Sequence, residues 1–367
     1  MICYNLLDNV VNQYISCSTC YQKCTCCRFE LETRRSRVRV QLGPLFTLFC
    51  TENVPSGSVY SGAEVSVVEG LMRLIEANRS TVGPWPTHGW LGLGLIAVFW
   101  PLNWVLTGLR THWGFFPLWL GFCLAVDAMT LRRTGDSLLT RDWRAYVALF
   151  FYSAPAWWFF EIINWRTQNW HYLGREVFSN WEYFLLASLS FSTVMPAVFG
   201  AAELIASLTP VRSMRAGPVL CVTRGRLLTM FGGGWLLVGL LLIWPRFFFP
   251  AVWLAVYFIL SPVNTWLRNR TLWTYTARGD WRPVVSLALG CLLCGFFWEM
   301  WNFFSYPKWV YQIPFFDFLR VFEMPLIGYG GYLPFALELF ALYHLLSGFT
   351  RNSDRKQRYL RFAEPGT

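Results

Sequence analysis

The heptapeptide Phe159-Phe160-Glu161-Ile162-Ile163-Asn164-Trp165 returns 138 residues later as Phe297-Trp298-Glu299-Met300-Trp301-Asn302-Phe303, and each copy closes a long apolar segment. Working outward, Asp142-Trp143-Arg144 matches Asp280-Trp281-Arg282 at the same offset, and Pro196 matches Pro334. With small gaps, Trp170-x-Tyr172 corresponds to Trp309-x-Tyr311 and Trp181-Glu182 to Phe322-Glu323. Upstream, Trp100-Pro101 parallels Trp244-Pro245, and Phe115-Phe116-Pro117 parallels Phe248-Phe249-Pro250. Self-similarity of this kind predicts two tandem copies of one structural unit.

The segments themselves predict the fold class. Apolar runs cover 91–108, 114–130, 145–163, 183–207, 228–244, 248–266, 284–303 and 321–348. At 1.5 Å of rise per residue, each approaches the roughly 30 Å needed to cross the hydrocarbon of a bilayer. The chain is 55% apolar, 19% aromatic and only 14% charged, against about 25% charged in a soluble domain. The expected fold is all-α: a polytopic membrane bundle of eight spans, arranged as two tandem, parallel four-helix repeats. Within the eighth segment, Pro325, Gly328, Gly330, Gly331 and Pro334 are expected to interrupt the helix. The Gly232-Gly233-Gly234 run suggests a close helix approach.

A net charge of +10 suggests nucleic acid in a soluble protein. Here the arginines sit in short loops between apolar segments, and no contiguous basic face or nucleic-acid motif accompanies them, so a nucleic-acid partner is not expected. Loops after the second, fourth and sixth segments carry four arginines each, as in Arg132, Arg133, Arg141 and Arg144. The alternate loops carry one or two basic residues. By the positive-inside rule the rich loops face the cytoplasm. Eight spans then return both ends of the membrane domain to that side of a cell membrane.

These readings divide the chain into an N-terminal extension (1–71), a first membrane repeat (72–208), a cytoplasmic linker (209–227), a second repeat (228–348) and a basic cytoplasmic tail (349–367). Seven of the eleven cysteines precede residue 51. Cys17-x-x-Cys20 is the beginning of a metal site, but a second well-spaced pair and a nearby His are missing, so no metal and no other cofactor is expected. The extension is read as disordered, with Met72 as a candidate start.

Ionisable residues inside spans are costly and are functional candidates for that reason. Glu161 and Asn164 lie three apart, as do Glu299 and Asn302, so each pair shares a helix face. These four are the expected catalytic groups. Glu182 and Glu323 open the following spans from the same side, and the intervening loops contribute Trp165, Trp170, Tyr172, Trp309 and Tyr311. Together they predict an aromatic, Glu-lined substrate pocket near the outer face. The structural alternatives are interfacial hydration, capping and an aromatic belt. Glu203, Glu338, Asp127 and Asn264 either line a polar path or pair with inner-loop arginines, and pairing is the stronger reading.

The run from Phe297 to Tyr343, with Trp298-Glu299, Asn302, Trp309-x-Tyr311, Glu323-Met324-Pro325-Leu326 and Pro334-x-x-x-Glu338, resembles an uncharacterised family of bacterial multi-span membrane proteins. In its spacing it is also similar to membrane lycopene cyclases and carotenoid hydratases. That resemblance implies carboxylates among aromatics acting on an isoprenoid. The adjacent Pro-x-Glu-Glu acids of the cyclase pattern are missing, so no catalytic residue is carried over. Three functions follow as expectations: an enzyme acting on a lipid-soluble, isoprenoid-like small molecule drawn from membrane lipid; a transporter or lipid translocase; or a non-catalytic scaffold.

Overall fold

The structure is a computed structural model that describes a strand pair (β1, Arg28–Thr33; β2, Ser36–Gln41) and residues 84–106, 113–350 and 357–362. The chain divides into two compact units, Met1–Arg73 and Leu74–Thr367. In the first, β1 and β2 form an antiparallel pair. The Cys17–Cys27 cluster, with the expectation of no metal site there, lies outside the described residues, as does the rest of the 1–71 extension, read as disordered, apart from these two strands.

The second unit is a helical bundle. Its main helices are α1 (Thr87–Val105), α2 (Phe115–Thr134), α3 (Trp143–Thr167), α4 (Asn180–Phe191), α5 (Val194–Ala206), α6 (Arg224–Ile243), α7 (Val252–Trp266), α8 (Arg282–Phe303) and α9 (Tyr332–Gly348). Seven helical segments among the described residues are long and apolar enough to cross a membrane, and α1 is not among them. The expected count of eight is therefore reduced to seven by this measure. Within its 19 residues α1 carries His88, Asn103 and Pro101. Arrayed this way, the second unit is an all-α bundle suited to a membrane.

Helix ends follow from sequence. Asp142 caps α3 by accepting hydrogen bonds from the Arg144 and Ala145 amides, and the matching Asp280 accepts from the Arg282 amide and guanidinium. Such caps satisfy donors that a helix N-terminus leaves free. The predicted fourth span is two helices, α4 and α5, broken at Ser192-Thr193. The Ser153 hydroxyl bridges that break, donating to the Phe191 carbonyl (2.5 Å) and accepting from the Met195 amide (3.0 Å). Freed backbone groups are thus satisfied inside protein, as a bilayer requires. In the eighth segment the Gly/Pro run forms a 3-10 turn, Leu326–Gly331, before α9 begins.

Packing pairs the helices in a recurring pattern. α1 packs on α2 as α6 packs on α7; α2 packs on α5 as α7 packs on α9; and α3 packs on α5 as α8 packs on α9. The α5–α8 contact joins the two sets at the centre. A Cβ added at Gly290 would lie 2.5 Å from the Ala202 amide nitrogen, so glycine is what lets these backbones meet. In the glycine run only Gly234 has this role, against Ala255 and Ile259; Gly232 and Gly233 face open space.

Beyond the ends of α3 and α8 the chain forms β3 (Trp170–Leu173) and β4 (Lys308–Tyr311). They pair antiparallel, with Trp170 opposite Tyr311 and Tyr172 opposite Trp309. A last pair, β5 (Arg320–Val321) and β6 (Met324–Pro325), precedes the 3-10 turn.

Candidate functional site: an aromatic cavity backed by buried carboxyls

Each Glu-x-x-Asn pair organises the strand that follows it. The Asn164 side chain donates to the Trp170 carbonyl (2.8 Å) and accepts from the Asn169 amide (2.9 Å). Asn302 does the same to the backbone of one residue, donating to the Trp309 carbonyl (2.7 Å) and accepting from the Trp309 amide (2.9 Å). Both asparagines are buried. Each side-chain amide is spent on backbone groups of the strand that follows.

The carboxyls lie one turn back on the same faces. Glu161 is 5% exposed and Glu299 is fully buried. Glu161 Oε1 accepts from the Tyr172 hydroxyl (2.5 Å), the Trp157 indole (2.8 Å) and the Trp170 indole (3.0 Å). Glu299 Oε1 accepts from the Tyr332 hydroxyl (2.6 Å) and the Tyr311 hydroxyl (2.7 Å), while Trp309 Nε1 donates to the Tyr311 oxygen (3.0 Å). Burial, followed by the neighbouring carboxyl, pushes the Tyr172 and Tyr311 phenols well above their ordinary range, so both stay protonated donors at neutral pH.

These donors face one cavity of about 480 Å³, within the ~300–1,000 Å³ typical of small-molecule sites. Trp157, Trp170, Tyr172, Trp309, Tyr311 and Tyr332 all line it, together with Trp253, Trp298 and Phe335. Its wall is mostly apolar. The two glutamates stand behind the phenols rather than on the cavity surface.

Other expected site residues lie elsewhere. Trp165 is 71% exposed on the outside of α3, where an interfacial tryptophan is ordinary. Glu182 closes a capping box with Ser179 at the start of α4 and does not reach the cavity. Glu323 pairs with Lys308 (2.5 Å), which lines the cavity, and with Arg320 (3.7 Å). At the opposite end of the bundle, Glu203 is held by two Arg141 nitrogens (2.9 and 3.0 Å) and the Arg361 amide (2.8 Å). Asp127 accepts from Ser137 (2.8 Å) and the Leu139 amide (3.0 Å). Asn264 donates to the Ala341 carbonyl (2.8 Å). Glu338 is fully buried in α9.

Sequence reasoning missed Trp157, Tyr332 and Trp253. Trp157 precedes Glu161 by four residues, so helix spacing alone points to it. Tyr332 reaches Glu299 from 33 positions further along the chain, and Trp253 comes from another helix, so neither has a local signal. Neither family profiles, curated proteins nor solved structures match this chain.

Proposed function

We propose that this protein is a membrane enzyme that moves protons to and from a lipid-soluble, isoprenoid-like molecule held in the aromatic cavity. One observation carries the reading: phenols lining a single apolar cavity each donate to a buried glutamate behind them. In this scheme the phenol of Tyr172 or Tyr311 delivers its proton to a carbon of a substrate double bond. Glu161 or Glu299, in its acid form, replaces that proton along the same hydrogen bond. The carbocation formed faces tryptophan and phenylalanine rings, whose π-faces stabilise positive charge. A neighbouring C–H proton then returns by way of the phenol, which takes it while passing its own proton back to the carboxylate behind; this closes the cycle, shifting the double bond or closing a ring with no co-reactant. Exclusion of water by the apolar wall protects the cation.

We infer further that 72–208 and 228–348 are two copies of one unit. The matched helix pairings support this, as do the like bonds of Asn164 and Asn302 and of Glu161 and Glu299. So do the contacts between halves: Asn103 donates to the Trp301 carbonyl (3.1 Å) and Arg166 to the Leu242 carbonyl (2.8 Å), so the first helix of each half meets the third helix of the other. The carrier reading, with a path along Glu161, Glu299, Glu203 and Glu338, has less support, because Glu203 is locked to Arg141 and the protein backbone.

The test is deuterium uptake. The purified full chain, incubated in heavy water with a total membrane lipid extract, is expected to add deuterium to one lipid class. Glu161→Gln and Glu299→Gln together keep the oxygen acceptors and remove the titratable protons. They should lower the rate by about 10²–10⁴-fold, the usual scale of general acid–base catalysis. Equal labelling by wild type and double variant would sink the proposal.

A further inference from the structure

Two cations also line the cavity, and they lie beyond the helix ends. Arg175 occupies the 3-10 turn after β3, and Lys308 is the first residue of β4. The strands follow the ends of α3 and α8, so both charges lie past the spans, at the depth of lipid head groups. Arg175 is half-buried, lies over the Tyr183 ring at 4.1 Å and donates to the Phe178 carbonyl and the Asn180 side chain. Among the described residues no carboxylate lies within ion-pair distance of it. Lys308 donates to Glu323 and to the Phe303 carbonyl, leaving one ammonium N–H over. Pro307 and Tyr306 meet Gly174 at 3.1–3.2 Å from an added Cβ, so the Arg175 turn and the Lys308 strand are adjacent.

From that polar end the cavity runs down an apolar wall. Tyr183, Leu186, Ala187 and Ser190 face it from one side of α4. At 1.5 Å per residue they cover about 10 Å of depth. A charged end at the interface and an aromatic end in the hydrocarbon match an amphiphile lying along the membrane normal.

We propose that the cavity takes an amphiphile with an anionic head group, of phosphate or carboxylate chemistry, whose head sits between Arg175 and Lys308 and whose chain descends between the aromatic walls. This rests on the reading of the cavity as a site for a lipid-soluble molecule, and it names the class. Arg175 supplies the unneutralised charge and Lys308 its spare N–H, and charge-assisted hydrogen bonds of this kind are the strong ones. Glu323 stays on Lys308 and orients it.

Equilibrium binding to the full-length protein in detergent micelles tests this, using labelled geranylgeranyl monophosphate, geranylgeraniol and inorganic phosphate as probes. The monophosphate is expected to bind about tenfold or more tighter than the alcohol, the scale of one hydrogen bond to a charged group. Arg175→Gln and Lys308→Gln should each erase most of that preference while leaving the alcohol's affinity unchanged, and Lys308→Arg should keep it. Equal binding of monophosphate and alcohol would overturn the head-group assignment while leaving the lipid-soluble reading intact. Failure of both prenyl probes would overturn both. Inorganic phosphate binding as tightly as the monophosphate would make this a free-anion site and overturn the amphiphile. Loss of the alcohol along with the monophosphate in both glutamine variants would also count against it, since a head-group contact leaves the tail's binding alone.

Discussion

Asn302 shows how one side chain sets the geometry of the site. Its side-chain amide engages both the N–H and the C=O of Trp309, and the Trp309 indole in turn donates to the Tyr311 oxygen that contacts Glu299. Asn302→Ala leaves the half-buried Trp309 amide and carbonyl without this partner, at up to about 1–3 kcal/mol for each group left unsatisfied. Thermal unfolding in detergent is expected to show that loss, and Asn164→Ala a comparable one. An unchanged midpoint in both would remove the positioning role. The glutamates differ, because Glu299→Gln keeps an acceptor for Tyr311 and Tyr332. Its predicted signature is lost proton transfer with a retained folded fraction.

Among the elements, the α5–α8 contact is the least forgiving. Gly290 lies against Ala202 so closely that any side chain must part the helices. Overpacking of this kind costs about 1–3 kcal/mol, and more where backbone must shift. Gly290→Val is therefore expected to lower the melting midpoint in detergent well below wild type. Gly232→Ala, on the exposed side of α6, is expected to leave it unchanged. Equal effects from the two substitutions would show that close approach at the centre is unimportant. The paired strands β3 and β4, held by backbone hydrogen bonds, bring Tyr172 and Tyr311 to one cavity.

For the whole molecule, the loop arginines predict the orientation. Among the described residues the free cysteines are Cys123, Cys291 and Cys294, all buried, and Cys221, exposed in the 209–227 linker. The seven cysteines before residue 51 are removable by substitution to Ser. Cys221 then becomes a single native reporter. The arginine asymmetry predicts that an impermeant maleimide labels Cys221 in inverted vesicles and not in intact cells. Labelling in intact cells would reverse the orientation. The described part of the C-terminal tail is docked rather than free: Tyr359, Leu360 and Phe362 are buried, and the Tyr359 hydroxyl donates to the Leu138 carbonyl (2.7 Å).

Composition and periodicity by themselves determined that this chain is an apolar helical bundle, because a span has to satisfy its backbone internally and display apolar side chains around its circumference. The spacing of Glu161 and Asn164, and of Glu299 and Asn302, was equally legible, since three residues return to the same helix face. The kinks at Ser192-Thr193 and in the Gly/Pro run differ in that respect. Proline and glycine flagged the second, whereas the first depends on Ser153, brought in from another helix. Only the tertiary structure decided which aromatics face the cavity, that Trp165 and Glu182 do not, and that the glutamates stand behind tyrosines. Those facts depend on contacts such as Tyr332 to Glu299 and Trp170 to Tyr311, formed between residues far apart in the chain. Local spacing holds no record of such contacts, because they arise from how whole helices cross and which strand ends they bring together.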